Sequence, residues 1–100
     1  SIRKNKQSEH DRNSSLYKPG KSYTYFGADK AQRYILRLHG TGTLVSSKKG
    51  EWVKKERVRS DEPIGVYIDL DGVEHETYNA LIIYSNKGTH IYPAREDATS

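Results

Sequence analysis

The hydrophobic period of this 100-residue chain changes at Gly40. Ahead of that residue, apolar side chains recur at the spacing of one helical face, and the basic residues between them lie largely off that face. The apolar positions are Ala28, Ala31, Tyr34, Ile35 and Leu38. Asp29, with Gln32 three residues later, resembles a capping box, and Gly40 is a stop signal. The pattern predicts a helix over about residues 28–39.

After Gly40 the chain has the pattern of short strands separated by turns. The strand-like runs are Thr43 to Val45, Trp52 to Val53, Ile64 to Asp69, Ala80 to Tyr84 and Thr89 to Tyr92, and Ser22 to Phe26 adds one before the helix. Asp71-Gly72 is a hairpin turn signal. The apolar run from Ala80 to Tyr84 predicts a central strand buried on both faces. The order of elements predicts an α+β fold, in which a twisted antiparallel sheet of about four to five strands packs against one main helix.

The two ends of the chain are poor in apolar residues. Ser1 to Gly20 is basic, which predicts an N-terminal arm or short helix over residues 1–20. Arg95 to Ser100 has the composition of a frayed tail. The length suits one small unit, so we expect residues 1–100 to form a single domain.

Composition excludes several classes of site. The chain has no cysteine, which excludes disulfide scaffolds, thiolate zinc sites and cysteine nucleophiles. Its four histidines show no HxH or HExxH spacing, and the D-x-D-G fragment at Asp69 lacks the glutamate of a calcium loop. Gly40-Thr41-Gly42 follows a helix, whereas a phosphate-binding loop precedes one. We therefore expect no metal, no cofactor and, because no apolar run approaches roughly 20 residues, no membrane anchor.

Charge is distributed unevenly along the chain. Residues 1–59 hold 15 Lys and Arg against 5 Asp and Glu, a balance of +10, and residues 60–100 hold 2 against 8, a balance of −6. Such an asymmetry is typical of a surface that binds nucleic acid or another polyanion. Segregation of surface charge without a binding function is the alternative.

Two short segments hold most of the residues that are suited to catalysis. The turn after the apolar strand places Ser85, Lys87, Thr89 and His90 within six residues, and such strand-end turns commonly carry sites. In the arm, Lys6 and His10 share one face if the segment is helical. Ordinary strand residues in the first segment and a solvated basic tail in the second are the alternatives.

These residue types suit the cleavage of RNA without a metal. In that reaction the ribose 2′-hydroxyl attacks the phosphorus, so a general base must remove its proton and a general acid must protonate the leaving 5′-oxygen. Histidine can serve in both roles, because its ordinary pKa is about 6.5. Ammonium, guanidinium and hydroxyl donors stabilise the charge that develops on the phosphorane.

Several short motifs together resemble those of a known family. They are Lys6-Gln7-x-x-His10, Gly20-Lys21-Ser22-Tyr23, Gly40-Thr41-Gly42, Trp52-x-x-Lys55-Glu56, Ile64-Gly65-x-Tyr67 and Tyr84-Ser85-x-x-Gly88-Thr89-His90-Ile91-x-Pro93-Ala94. In this order and spacing they resemble the polymorphic toxin type 50 family, and the last motif is the most specific. The chain departs from the family at Ile83, where histidine is common, and at Tyr92, where a small aliphatic residue is usual.

The resemblance implies a toxin module with the RNase fold of the barnase–EndoU–colicin–RelE group. Its functional positions fall here on Lys6, His10, Ser22, Tyr84, Ser85, Thr89 and His90. The family further implies the C-terminal module of a secreted or phage-associated bacterial protein, which acts in the target-cell cytoplasm and is neutralised by a cognate immunity protein. An acidic inhibitor surface is expected on electrostatic grounds. The structural group also suggests transfer RNA as substrate, which no residue of this chain indicates.

The sequence therefore predicts a metal-independent endoribonuclease that leaves a 2′,3′-cyclic phosphate. His90 and His10 are the expected acid and base, in either assignment, while Lys6, Ser22, Ser85 and Thr89 hold the phosphate. Contacts with the RNA backbone are expected from Arg33, Arg37, Lys54, Lys55, Arg57, Arg59 and Lys87. Two alternatives stay open: a non-catalytic RNA-binding module, and an interaction domain that binds an acidic protein.

Overall fold

Two antiparallel sheets and two helices make up residues 4–12, 14–15 and 17–96, which the computed structural model describes. The elements are α1 (Lys4–Ser8), β1 (Tyr23–Thr24), α2 (Ala28–Leu38), β2 (Thr43–Ser46), β3 (Trp52–Arg59), β4 (Gly65–Ile68), β5 (Glu74–Thr77), β6 (Asn79–Ser85) and β7 (Gly88–Pro93). One sheet has the order β2-β3-β6-β7 and the other β1-β4-β5. The predicted α+β class is confirmed.

The strands form two sheets instead of the single one expected. β6 pairs with β3 from Lys55↔Ile83 to Arg59↔Asn79, and this pairing bypasses the β4–β5 hairpin. The hairpin pairs instead with β1 through Tyr23↔Val66. β3 itself extends through the basic segment after Trp52, because the buried Glu56 and Val58 alternate with Lys55, Arg57 and Arg59, which point to the other face. A strand with this charged alternation has one buried face and one solvated face.

The helix α2 packs its predicted apolar stripe against the four-stranded sheet. Ala31, Tyr34, Ile35 and Leu38 are buried in one cluster with Ile82, Ile91, Val58 and Ala80. The predicted capping box is wrong: the N-cap is Gly27, in extended conformation, and no side chain caps the helix. The first helical hydrogen bond runs from Ala31 N to Gly27 O, so Asp29 lies inside the first turn. Its negative charge there stabilises the helix through a favourable interaction with the helix dipole.

The strand β6 is buried on one face only, which corrects the expectation of burial on both. Ala80 and Ile82 face α2 and are almost completely buried, whereas Leu81 and Ile83 are only partly buried. We call the side of the four-stranded sheet that carries Leu81 and Ile83 the open face. On this face the partly buried apolar side chains of β6 lie between β3 and β7.

The N-terminal segment forms the short helix α1, and the predicted tail falls partly outside the description. Glu96 accepts hydrogen bonds from Tyr78 N at 2.5 Å and from Thr77 Oγ1 at 2.8 Å. Residues 97–100, the rest of the predicted frayed tail, lie outside the described residues, as do residues 1–3 of the arm.

Candidate functional site

The arm is fixed to the sheet edge by one buried amide. Gln7, with no exposed surface, donates from Nε2 to Ile91 O at 2.8 Å and accepts from Ile91 N at Oε1, also at 2.8 Å. β7 lies at the edge of its sheet, so this amide satisfies backbone groups that a further strand would otherwise pair. The contact brings α1, and with it Lys6 and His10, against the strand that carries His90.

His10 lies two residues after the end of α1, in a buried position. Its side chain is held by a 2.9 Å hydrogen bond between Nδ1 and the carbonyl oxygen of Ser22. Since a carbonyl oxygen only accepts, Nδ1 carries the hydrogen and Nε2 of the neutral ring keeps its lone pair. Burial lowers the pKa of His10 below its ordinary value, and Lys21 and Lys6 lower it further, against the Ser22 hydrogen bond and Glu9, which raise it. The ring is therefore set up to be neutral near pH 7.

His10, His90 and Tyr92 form one cluster of rings. The His10 and His90 rings are stacked with centroids 6.0 Å apart and planes at 13°. Tyr92 contacts both, at centroid distances of 5.1 Å to His10 and 5.9 Å to His90. Burial raises the pKa of Tyr92, an effect that Arg57 opposes, so its phenol stays protonated at neutral pH. Two imidazoles and one phenol donor thus face the same space.

Three ammonium groups surround a carboxylate beside His10. Glu9 lies 3.6 Å from Lys6 Nζ and 3.5 Å from both Lys18 Nζ and Lys21 Nζ. Burial raises the pKa of Glu9, but the three cations outweigh it, and the net shift is downward. Lys6 was expected at the site, whereas Lys18 and Lys21 were not. Their three charges exceed the one they neutralise, which leaves this corner positive.

The open face carries the cluster in two rows that cross the sheet. The register aligns Lys55 with Ile83, and Ile83 with His90. The next row runs Arg57–Leu81–Tyr92. Each row therefore has a cation on β3, an aliphatic side chain on β6 and a ring on β7. Arg59 lies on the same face and is paired with Glu96 at 3.3 Å.

The other predicted RNA contacts lie elsewhere. Arg33 and Arg37 project from α2, which covers the opposite face of the sheet, and the Arg37 guanidinium lies 5.2 Å from the centroid of the Tyr34 ring. Lys54 adopts a positive φ of 63°, an irregular position in β3. Lys87 lies exposed in the turn between β6 and β7. The structure thus groups only Lys55, Arg57 and Arg59 with the rings.

Four of the predicted hydroxyl groups are not directed at the histidine pair. Tyr84 Oη donates to Glu56 Oε1 at 2.6 Å, and that buried carboxylate also accepts from the backbone N–H groups of Gly40 and Gly42. Burial and this carboxylate raise the pKa of Tyr84. Thr89 is paired with Tyr84 in the ladder and so lies on the face opposite to His90.

Ser85 and Ser22 serve the backbone. Ser85 Oγ donates to Gly88 O at 2.7 Å within the turn. Ser22 Oγ accepts from Ile68 N at 2.9 Å, and its carbonyl holds His10. Ser22 therefore joins the site through its main chain instead of its hydroxyl.

Sequence reasoning missed Gln7 and Tyr92 as parts of the candidate site. Tyr92 lies two residues after His90 on a strand, so alternation alone places the two side chains on one face. Gln7 has no comparable local signal, since its partner Ile91 is 84 residues away. Among the described residues, no group of three or more His, Asp or Glu side chains could hold a metal ion.

The family model described as bacterial toxin 50 matches residues 2–93. The chain belongs to the bacterial toxin 50 family. A search of the curated proteins finds no match. All residues of the ring cluster lie inside the matched span, so this cluster belongs to the toxin domain itself. No helix in the described parts of the chain is long and apolar enough to cross a membrane.

Proposed function

We propose that this toxin domain is a metal-independent endoribonuclease whose general base is His10 and whose general acid is His90. The observation that supports it is the stacking of a buried, carbonyl-held histidine on a second histidine, beside an open basic face. His10 suits the base because its lowered pKa keeps Nε2 unprotonated. His90, on the exposed side of the pair, supplies the proton that the leaving group needs.

The proposed reaction transfers one proton at each end of the phosphate. His10 Nε2 takes the proton of the ribose 2′-hydroxyl as the 2′-oxygen bonds to phosphorus. The bond between phosphorus and the 5′-oxygen breaks, and His90 gives its proton to that oxygen. The products are a 2′,3′-cyclic phosphate and a 5′-hydroxyl. Tyr92 and Lys6, a phenol and an ammonium beside the rings, would stabilise the phosphorane oxygens.

The open face suits single-stranded RNA. Leu81 and Ile83 offer apolar surface against which unpaired bases can pack. Lys55 and Arg57 lie beside them on the neighbouring strand β3, where their charges can contact the phosphates. We propose transfer RNA as one substrate of this class. We further propose that the domain is delivered as the C-terminal module of a secreted or phage-associated protein and acts in the target-cell cytoplasm. An acidic immunity protein would inhibit it by covering the open face.

The direct test incubates the purified chain with total RNA in the presence of EDTA. We expect cleavage with 2′,3′-cyclic phosphate ends, because the proposed reaction needs no metal. Intact RNA at micromolar protein, together with RNA binding in a gel-shift assay, would establish the non-catalytic binding module instead. Intact RNA without binding would favour the remaining alternative, an interaction domain that binds an acidic protein.

Because only one face of the sheet is proposed to bind RNA, two double variants should differ in their rate of RNA cleavage. Lys55→Gln with Arg57→Gln should lower the cleavage rate about tenfold at physiological salt and reduce the logarithmic salt slope by about two, because two phosphate contacts are lost. Arg33→Gln with Arg37→Gln changes the net charge equally but on the face that α2 covers, so we expect it within about twofold of the parent. Equal losses in both variants would show that net charge, not the open face, attracts the RNA.

A further inference from the structure

A cavity at the end of the β4–β5 hairpin has no part in the proposed proton transfers. Its volume is about 470 Å³, and its lining includes Tyr67, Leu70, Asp71, His75 and Arg95. Cavities of roughly 300–1,000 Å³ are the size that accepts small molecules or single nucleotide bases.

One wall of the cavity is a pair of rings with a fixed orientation. Tyr67 and His75 are direct partners in the β4–β5 ladder, with ring centroids 6.3 Å apart. His75 Nε2 is hydrogen-bonded to Asp69 Oδ2 at 2.8 Å. The other oxygen of Asp69 accepts from Asp71 N and Val73 N, both at 2.9 Å, which holds the turn to the same carboxylate. Such a fixed aromatic surface is what a planar base stacks on.

The charge of the cavity selects a base over a phosphate. Asp69, Asp71 and Glu96 outnumber Arg95 among its lining groups of fixed charge, so a phosphate would be repelled. Asp69 and Glu96 already accept hydrogen bonds from the protein. The Asp71 carboxylate accepts none from the described residues, and as an acceptor it matches a ligand edge that carries N–H donors.

The cavity is connected to the site on two sides. Arg57, in the second row of the open face, donates from Nη1 to Arg95 O at 3.4 Å. Ser22 holds His10 through its carbonyl and Ile68, the neighbour of Tyr67, through its hydroxyl. An RNA strand on the open face therefore has a base-sized cavity beside its path.

We infer that this cavity binds an unpaired guanine of the RNA substrate, an inference that rests on the proposed function for the identity of the strand. The guanine ring stacks on Tyr67 and His75. Its N1–H and N2–H donate to Asp71, a two-point contact that adenine, cytosine and uracil do not offer in the same form. The cavity would then determine which nucleotide lies near the cleaved bond.

Binding of nucleosides tests the cavity apart from catalysis. We would titrate guanosine, inosine and uridine into the full chain carrying His90→Ala and follow the ring signals of Tyr67 and His75 by NMR. Guanosine should bind about tenfold more tightly than inosine, which lacks the N2 amino group, and uridine should bind weakest. Asp71→Asn should remove about tenfold of the guanosine affinity, whereas Asp61→Asn, an exposed carboxylate in another turn, should not.

The outcomes separate this inference from the proposed function. If RNA is cleaved but guanosine leaves Tyr67 and His75 unperturbed, the cavity assignment is wrong and the ribonuclease stands. Equal affinity for guanosine and inosine, or no effect of Asp71→Asn, would overturn the guanine contact. Selective guanosine binding without RNA cleavage would overturn the ribonuclease and leave the cavity as a nucleoside site.

Discussion

Replacing His90 or His10 by alanine is expected to lower the rate of RNA cleavage by about 10²–10⁴-fold, the usual contribution of a general acid or base. The two rings stack at 6.0 Å, and in the proposed reaction each has a separate proton to move, so neither is expected to replace the other. The rate is measured under single-turnover conditions, which report the chemical step without product release. His39→Ala is the matched control, because His39 lies exposed after α2.

A substrate with a better leaving group distinguishes the two roles. When sulfur replaces the 5′-oxygen at the cleaved bond, departure no longer requires a proton from a general acid. We expect His90→Ala to regain most of its lost rate on this substrate and His10→Ala to remain slow. The reverse pattern would exchange the two assignments, and loss of rate in neither variant would remove both histidines from the mechanism.

The hydrophobic pattern of the sequence was sufficient to predict the helix α2 and most of the strands. The apolar stripe of α2 predicts its buried face, because spacing along a helix is a local property. β3 was missed as a long strand because its charged residues resemble a loop. Glu56 is buried there only because Gly40, Gly42 and Tyr84 donate to it from distant segments. A carboxylate whose burial depends on such partners cannot be distinguished from a solvated one in the sequence.

The candidate site was predictable to the extent that it follows from alternation or from the family motifs. His10 and His90 come from the motifs, and Tyr92 could have been added from the alternation of β7. Thr89 and Tyr84 could have been separated from His90 by the same alternation, since neighbouring strand residues point to opposite faces. The role of Ser22 was not predictable, because its carbonyl contacts His10 and any residue type has a carbonyl.

The meeting of the two histidines depends on a long-range contact that has no sequence pattern. α1 has only five residues, too few to be stable as an isolated helix. Both hydrogen bonds of the Gln7 amide hold α1 against β7. Gln7 is thus a positioning residue: it touches neither histidine ring in these contacts but fixes the segment that carries His10.

Gln7→Leu should therefore disturb catalysis as well as stability. The two Ile91 backbone groups lose their partners, at a cost of about 1–3 kcal/mol each. Displacement of His10 by about 1 Å is enough to slow the reaction about 100-fold. Gln32→Leu, at an exposed position of α2, is the matched control and should leave the rate unchanged.

The pH profile separates a positioning role from a loss of stability. Burial is the main cause of the lowered pKa of His10, so a released arm lets that pKa rise toward its ordinary value. A base with a higher pKa stays protonated to a higher pH, and the acidic limb of the pH–rate profile should therefore move to higher pH in Gln7→Leu. An unmoved limb in a folded variant would contradict the positioning role.

Gln7→Glu gives the converse test, because protonation restores the missing donor. The neutral carboxyl can donate to Ile91 O and accept from Ile91 N, as the amide does, whereas the carboxylate can only accept. The introduced group has an ordinary pKa of about 4.3, and its ionised form is penalised by burial and by the unpaired Ile91 carbonyl. The melting temperature of Gln7→Glu, relative to the parent chain at the same pH, should rise as the pH falls through the range of this carboxyl. Gln7→Leu has no such group, so its own change in melting temperature with pH reports the release of His10 alone, and the further rise in Gln7→Glu reports the introduced carboxyl.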